Sequence, residues 1–155
     1  MFELLARHKE MRGIGGVASG AEQTRAASGP LALILSPTRE LAVQTLEFVR
    51  SFAVKLRAHA PALGSLRVAL LLGGDPLGEQ FAALSAQPAP DLLVATPGRL
   101  LHVLSEMRLA LPSVRYVVLD EADRCALSEY LIITSTLVLI KNHYYRLTVC
   151  TRTYS

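Results

Sequence analysis

Four short, mostly apolar runs constrain the fold of this chain more than any other feature. They are Leu31–Leu35, Leu66–Leu72, Asp91–Ala95 and Val114–Leu119. None of them alternates polar with apolar residues, and helical patterns over residues 39–56, 77–85 and 98–107 separate them. A strand that is apolar on both faces must be covered on both faces, as in parallel sheets flanked by helices. The pattern therefore predicts an α/β domain.

The alternation of strands and helices divides the chain into three regions. Residues 1–30 are predicted to form a helix end and a flexible loop rich in Gly, Ser and Ala, and residues 31–124 to form the α/β domain. The alternation stops after Arg124, so the pattern does not assign residues 125–155 to a strand of the sheet. Within this tail, Leu131–Ile140 is uncharged and β-prone, which is typical of aggregation-prone segments, so removing the tail is expected to raise solubility.

Composition excludes several classes of protein. Hydrophobic residues make up 51% of the chain and charged residues 19%, which is too apolar for wholesale disorder. The longest apolar stretch, Tyr130–Ile140, is well short of the roughly 20 residues that a membrane span needs. Cys125 and Cys150 form no CxxC pair, which argues against a zinc site or a disulfide scaffold and favours an intracellular location. The net charge of +3 is compatible with a polyanionic partner.

Two predicted strand ends carry the same local pattern. Ser36-Pro37-Thr38-Arg39 follows the first strand, and Thr96-Pro97-Gly98-Arg99 follows the third. In each, a hydroxyl residue can cap a helix, proline fits the first helical position, and arginine follows in the first turn. Ordinary helix capping explains either pattern alone. Their repetition at one edge of a parallel sheet favours a phosphate site, where amides and guanidinium groups converge.

Two further motifs follow predicted strands at the same edge. Gly73-Gly74 allows a ligand to approach the backbone closely, or simply makes a turn. Asp120, Glu121 and Asp123 form an acidic cluster. An aspartate directly after a buried strand can hold Mg²⁺, and a following glutamate can take a proton from water. A solvated acidic turn is the alternative interpretation.

In this order and spacing, the motifs resemble the first RecA-like domain of DEAD-box RNA helicases over residues 31–124. The resemblance implies that Asp120 holds Mg²⁺, that Glu121 positions or deprotonates the attacking water, and that Asp123 couples hydrolysis to domain movement. Its usual partner motif, Ser-Ala-Thr, does not occur after Arg124. The resemblance also implies contacts to the RNA backbone, independent of base sequence, from Pro37, Thr38, Arg39, Gly73, Gly74, Thr96, Gly98 and Arg99.

The resemblance also implies ATP and Mg²⁺ as cofactors, yet this chain contains no P-loop. Its three lysines, Lys9, Lys55 and Lys141, never follow a glycine, so no nucleotide-binding residue is predicted. The resemblance places the P-loop strand ahead of Met1 and implies a second RecA-like domain. We therefore expect a partial RecA-like sheet that lacks the P-loop strand, in a fragment or truncated form of a helicase that does not itself hydrolyse ATP. A passive RNA-backbone-binding module and a non-functional truncated product are the alternatives.

A subfamily is indicated by residues around the glycine pair. Leu71–Asp75, with Gln80–Leu84 behind it, resembles the nucleolar members of the family that act in making the large ribosomal subunit. The resemblance implies RNA and pre-ribosomal particles as partners, a nuclear or nucleolar location, and no membrane association. The sequence indicates no particular oligomeric state.

Overall fold

A computed structural model shows a parallel sheet of five strands in the part of the chain that it describes. That part comprises residues 29–61, 65–106, 111 and 113–121, residues 2, 6 and 7, and the backbone of 146–149. The strands lie in the order β2-β3-β1-β4-β5, and every pairing is parallel. They are β1 (Ala32–Leu35), β2 (Val68–Leu71), β3 (Leu92–Ala95), β4 (Tyr116–Leu119) and β5 (Arg146–Val149). The predicted α/β class with a parallel sheet is confirmed.

Three helices connect the first four strands and cover both faces of the sheet. They are α1 (Arg39–Leu56), α2 (Leu77–Ser85) and α3 (Pro97–Glu106). Helix α1 packs on one face, where Val49 meets Ile34 and Val94. Helices α2 and α3 lie on the other face, where Leu100 meets Leu33. Among the described residues, no helix has the length and hydropathy needed to cross a membrane.

Burial along the strands explains why their sequences lack polar alternation. Every residue of β1 and β3 is buried, because each has strands on both sides and helices on both faces. In β2 and β4, buried residues alternate with half-buried ones, and the half-buried ones all lie on the face that α1 covers: Val68, Leu70, Tyr116 and Val118. The absence of polar alternation in the sequence therefore reflects strands that are at least partly covered on both faces.

Two charged residues at the start of the second and third runs pair with each other. Asp91, whose side chain is only 3% exposed, accepts hydrogen bonds from Nε and Nη2 of Arg67 at 3.2 and 2.9 Å. It also accepts the Arg67 backbone N–H at 3.0 Å. This bidentate ion pair joins the amino ends of β2 and β3. It also supplies hydrogen-bond donors to a carboxylate that would otherwise be costly to bury.

Strand β5 is the main difference between the structure and the sequence-based expectation. The α/β alternation left residues 125–155 without a place, yet residues 146–149 pair with β4 from Tyr116↔Arg146 to Leu119↔Val149. The physical reason is the edge of β4, whose backbone N–H and C=O groups need a partner, and Arg-Leu-Thr-Val supplies one without Gly or Pro. The segment 131–140 and residues 13–28 of the loop predicted over residues 13–30 lie outside the described residues.

The position of β5 leads to a prediction about the tail. We expect deletion of residues 146–155 to uncover the hydrogen-bonding edge of β4, lower the soluble fraction, and reduce the free energy of unfolding by at least about 1 kcal/mol. Urea titration and soluble yield measure both effects. Deletion of residues 150–155 is the matched control, because it keeps β5. Equal behaviour of the two deletions, or a gain in solubility from the longer one, would contradict this role of β5.

Candidate functional site

The register of the sheet brings the predicted motifs to one edge. Leu35, the last residue of β1, pairs with Ala95 and Leu119, the last residues of β3 and β4, and Ala95 pairs with Leu71 at the end of β2. Four strands therefore end at the same level. The segments that follow them are Ser36–Arg39, Gly73–Asp75, Thr96–Arg99 and Asp120–Glu121. The prediction that both proline-containing motifs lie at the same edge is confirmed.

The two proline-containing motifs start their helices differently. Pro97 is the first residue of α3, as predicted, and the Leu100 N–H bonds to the Thr96 carbonyl at 3.0 Å. In the other motif, α1 begins two residues after Pro37, and the cap is Thr38, whose Oγ1 accepts the Leu41 N–H at 3.3 Å. The expectation that Pro37 occupies the first helical position is wrong.

Ser36 does not cap α1 because its hydroxyl is used inside the protein. The residue is fully buried, and its Oγ lies 3.4 Å from Oγ1 of Thr45 on α1. Thr45 in turn donates to Oδ2 of Asp120 at 3.5 Å. Since this bond takes the only hydroxyl proton of Thr45, Ser36 is the donor in the other contact. A chain of two hydroxyls therefore joins the end of β1 to the carboxylate that follows β4.

The amino end of α1 already carries a negatively charged side chain, the Glu40 carboxylate. The Glu40 backbone N–H and the Thr38 hydroxyl both hydrogen-bond to the Glu40 carboxylate and hold its pKa below the ordinary value. The positive charge of Arg39 acts in the same direction. Because Thr38 and Glu40 take up free amides of the first turn, an incoming anion at this helix depends mainly on the Arg39 guanidinium.

Arg39 and Arg99 both bond to Asp75, the residue that follows the glycine pair. Nη2 of Arg39 donates to the Asp75 carboxylate at 2.7 Å. Nη2 of Arg99 donates to the Asp75 backbone carbonyl at 3.1 Å. Two arginines 60 positions apart in the sequence are thus joined through one residue, and three of the four segments at this edge form a single surface.

The glycine pair is held in place from both sides. Gly74 adopts a φ of +90°, and a Cβ atom on it would lie 3.0 Å from Nη1 of Arg39, whereas a Cβ on Gly73 would meet nothing within 4 Å. Beneath the loop, buried Gln80 donates from Nε2 to the Leu72 carbonyl at 2.9 Å. The requirement for glycine is therefore specific to position 74, where the guanidinium passes over the backbone.

The two acidic residues directly after β4 differ in burial. Asp120 is half-buried, and its backbone N–H bonds to the Leu35 carbonyl at 2.8 Å, which continues the pairing of β4 with β1. Glu121 is buried, only 2% exposed, and has a φ of +47°, which is uncommon for a residue with a side chain. Its carboxylate therefore lies inside the protein. Asp123 lies outside the described residues.

A Mg²⁺ ion suits the donors at this position. Within the described residues, no group of three His, Cys, Asp or Glu side chains is placed to hold a metal. Mg²⁺ needs no such cage, because proteins commonly hold it through one or two carboxylates together with substrate phosphates. The Asp120 carboxylate lines a groove of about 350 Å³ beside α1 and is reachable for this purpose.

Sequence reasoning missed three residues of this site. Asp75 stands beside the predicted glycine pair, and its acidic character was the available signal. Thr45 lies within the predicted helix over residues 39–56, and Gln80 lies within the pattern that indicates a subfamily. Their partners lie 36, 75 and 8 positions away, so the contacts become visible only in the folded chain.

Comparisons with known proteins show which family the chain is similar to. A model of the DEAD/DEAH box helicases matches residues 17–131. The ATP-dependent RNA helicase DDX54 of Mus musculus is 52% identical over 99 residues, which cover 64% of this chain and 10% of the mouse protein. The ATP-dependent RNA helicase DBP10 of Gibberella zeae is 43% identical over 133 residues, which cover 78% of this chain and 14% of the fungal protein. The chain thus spans 10–14% of the length of these two relatives.

A solved structure agrees at the level of the fold. The crystal structure of the yeast DEAD-box splicing factor Prp28 is similar with a TM-score of 0.63 and 29% identity. The match covers 86% of this chain and 30% of the Prp28 chain. This likeness confirms the predicted RecA-like α/β fold.

The geometry of the glycine pair predicts different costs for two neighbouring substitutions. We expect Gly74→Ala to lower the free energy of unfolding by about 1–2 kcal/mol, because a side chain is strained at this positive φ and the Arg39 guanidinium must shift. Gly73→Ala, the matched control, should cost less than half as much because its site is open. Urea unfolding of the two variants measures the difference. Equal costs would mean that the loop does not hold the described conformation.

Proposed function

The chain belongs to the DEAD/DEAH box helicase family, and from that premise we propose that the carboxyl edge of its sheet binds the phosphate backbone of RNA. The observation that carries the proposal is the convergence of Arg39 and Arg99 on Asp75. Two guanidinium groups held in one surface offer two phosphate-binding groups to the same strand.

The chemistry of this edge favours recognition of the backbone over recognition of bases. Arginine forks bind phosphate oxygens, and the bare backbone of Gly73 and exposed Gly74 lets a strand approach closely. The hydroxyls of Thr38 and Thr96, with Pro37 and Gly98, complete the proposed contact surface. Contacts to phosphate and sugar fix the position of a strand without reading its sequence, so binding by these residues is independent of base sequence.

We further propose that the acidic segment serves ATP hydrolysis in the longer helicase. Asp120 would hold Mg²⁺ through its carboxylate, with its orientation maintained by the Thr45 hydroxyl. The bound Mg²⁺ would neutralise charge on the nucleotide phosphates. Glu121, which directly follows Asp120, would orient or deprotonate the attacking water. Asp123 is proposed to couple hydrolysis to domain movement.

For the 155-residue chain by itself, we propose RNA binding without ATP hydrolysis. Its sequence contains no Gly-Lys-Ser/Thr, so it does not provide the amides and lysine that cradle the β and γ phosphates. The surface formed by Arg39, Arg99 and the glycine loop does not depend on that motif. This observation favours a passive RNA-backbone-binding module as the activity of the isolated chain.

The cellular setting is proposed from the subfamily resemblance. The two relatives are named as ATP-dependent RNA helicases DDX54 and DBP10. The glycine pair with Asp75, followed by Gln80–Leu84, resembles the nucleolar helicases that act on the large ribosomal subunit. We therefore propose a nucleolar location and pre-ribosomal RNA as the partner.

The RNA proposal is tested by the salt dependence of binding. Arg39→Ala and Arg99→Ala should each reduce the slope of log K against log salt by up to about 1, because each removes one phosphate contact. Fluorescence anisotropy with two single-stranded RNAs of different sequence measures this slope. Arg50→Ala is the control, since it removes the same charge from an exposed site roughly 16 Å farther along α1. Equal slopes in all three variants would assign the binding to another surface.

The catalytic proposal predicts an inactive chain. With saturating RNA and Mg²⁺, we expect ATP turnover at least about a thousandfold below that of an intact DEAD-box helicase assayed beside it, because phosphate positioning and the second domain's contribution are missing. A coupled phosphate-release assay provides the measurement. Turnover within about a hundredfold of the intact enzyme, abolished by Glu121→Gln, would refute the proposal.

A further inference from the structure

Asp75 is the residue on which the two proposed RNA-binding arginines meet, and it uses different atoms for each. Its carboxylate Oδ1 accepts Nη2 of Arg39 at 2.7 Å, whereas its backbone carbonyl accepts Nη2 of Arg99 at 3.1 Å. A substitution of the side chain therefore changes the partner of Arg39 and leaves the partner of Arg99 in place. The two arginines can be separated experimentally at this one position.

The contact between Asp75 and Arg39 has the properties of an exchangeable ion pair. The side chains are 46% exposed for Arg39 and 41% exposed for Asp75, so water and ligands reach both. Exposed pairs of this kind shift an equilibrium by a factor of only about 1.4 to 5. A phosphate makes the same kind of bond to a guanidinium as a carboxylate does, so it can replace the carboxylate with little net change.

The carboxylate also stands where a phosphate on Arg39 would be. The guanidinium is bounded on one side by the backbone of Gly74, where a Cβ would lie 3.0 Å from Nη1, and its Nη2 is directed at Asp75. An RNA phosphate that approaches Nη2 meets a like charge within a few ångströms. Competition for the donor and repulsion between anions both act against binding.

We propose that the Asp75 carboxylate is an internal substitute for an RNA phosphate, which neutralises Arg39 in the free protein and is displaced when RNA binds. The Asp75 carbonyl meanwhile keeps Arg99 in place in both states. This inference rests on the proposed RNA-binding function of the edge. Its consequence is that Asp75 weakens the affinity for RNA and reduces the part of the salt dependence that Arg39 contributes, since the displaced carboxylate recovers part of the counterion charge that the phosphate loses.

The test compares Asp75→Asn with Glu79→Gln in the full 155-residue chain. Asparagine preserves the shape of Asp75 and removes its charge. Glu79 lies four residues later in the first turn of α2 and is exposed, so its substitution makes the same change in net charge nearby. Binding of a single-stranded RNA is measured by anisotropy over a range of salt. We expect Asp75→Asn to raise affinity about two- to fivefold and to steepen the salt slope by less than about one, and Glu79→Gln to do neither.

Double variants show whether the effect acts through Arg39. The gain from Asp75→Asn should disappear when combined with Arg39→Ala and persist when combined with Arg99→Ala. A loss of affinity in Asp75→Asn would overturn the inference, because it would make the carboxylate a support that orients Arg39. A gain that survives Arg39→Ala would overturn it too, since the charge would then act at long range.

The inference and the proposed function fail in different ways. If RNA binds and depends on Arg39 and Arg99, but Asp75→Asn matches the unchanged chain, only the role of Asp75 is refuted. If neither the unchanged chain nor Asp75→Asn binds RNA at low salt, the proposed RNA-binding function is refuted together with it. Binding that appears only in Asp75→Asn would support both.

Discussion

Parallel pairing of β1 with β3 and β4 places Leu35, Ala95 and Leu119 side by side, and the functional surface depends on this alignment. The loops that follow these strands begin at the same edge of the sheet, so residues far apart in sequence become neighbours in space. A shift of one residue in any pairing would move the attached loop by about 3.3 Å and exchange the two faces of the strand. The complete burial of β1 and β3 opposes such a shift, because it would disrupt the packing on both faces.

The elements that the sequence predicts well are those whose signals are local. The bounds of α1 and α2 agree with their helical patterns, and α3 starts one residue earlier than the pattern indicates, at Pro97. Two other features depend on tertiary contacts and could not be predicted. Both Ser36 and Thr38 can cap a helix, and the structure uses Thr38 because Ser36 is buried against Thr45. Strand β5 depends on the edge of β4, which no pattern within residues 125–155 reports.

Two arginine–aspartate ion pairs lie at opposite ends of the sheet, and their different exposure to solvent gives them different roles. At the amino end, Asp91 is nearly inaccessible and accepts three hydrogen bonds from Arg67, so the loss of the Arg67 side chain would remove two of the donors to a buried carboxylate. At the carboxyl end, Asp75 and Arg39 share one bond and remain open to solvent. The first pair belongs to the framework of the fold. The second can be exchanged for a ligand at little cost.

Helix α1 physically connects the two halves of the site. Its first residue, Arg39, lies at the proposed RNA surface, and Thr45, less than two turns later, donates to Asp120 at the proposed metal position. The hydroxyl contacts of Thr45, at 3.4 and 3.5 Å, are at the long end of the range for hydrogen bonds, so they orient Asp120 without holding it tightly. Because both contacts belong to one helix, the α1 backbone fixes the positions of Arg39 and Thr45 relative to each other. The bond between the Asp120 N–H and the Leu35 carbonyl joins the ends of β4 and β1, so the backbone of Asp120 is held by the sheet while its carboxylate contacts Thr45 of α1.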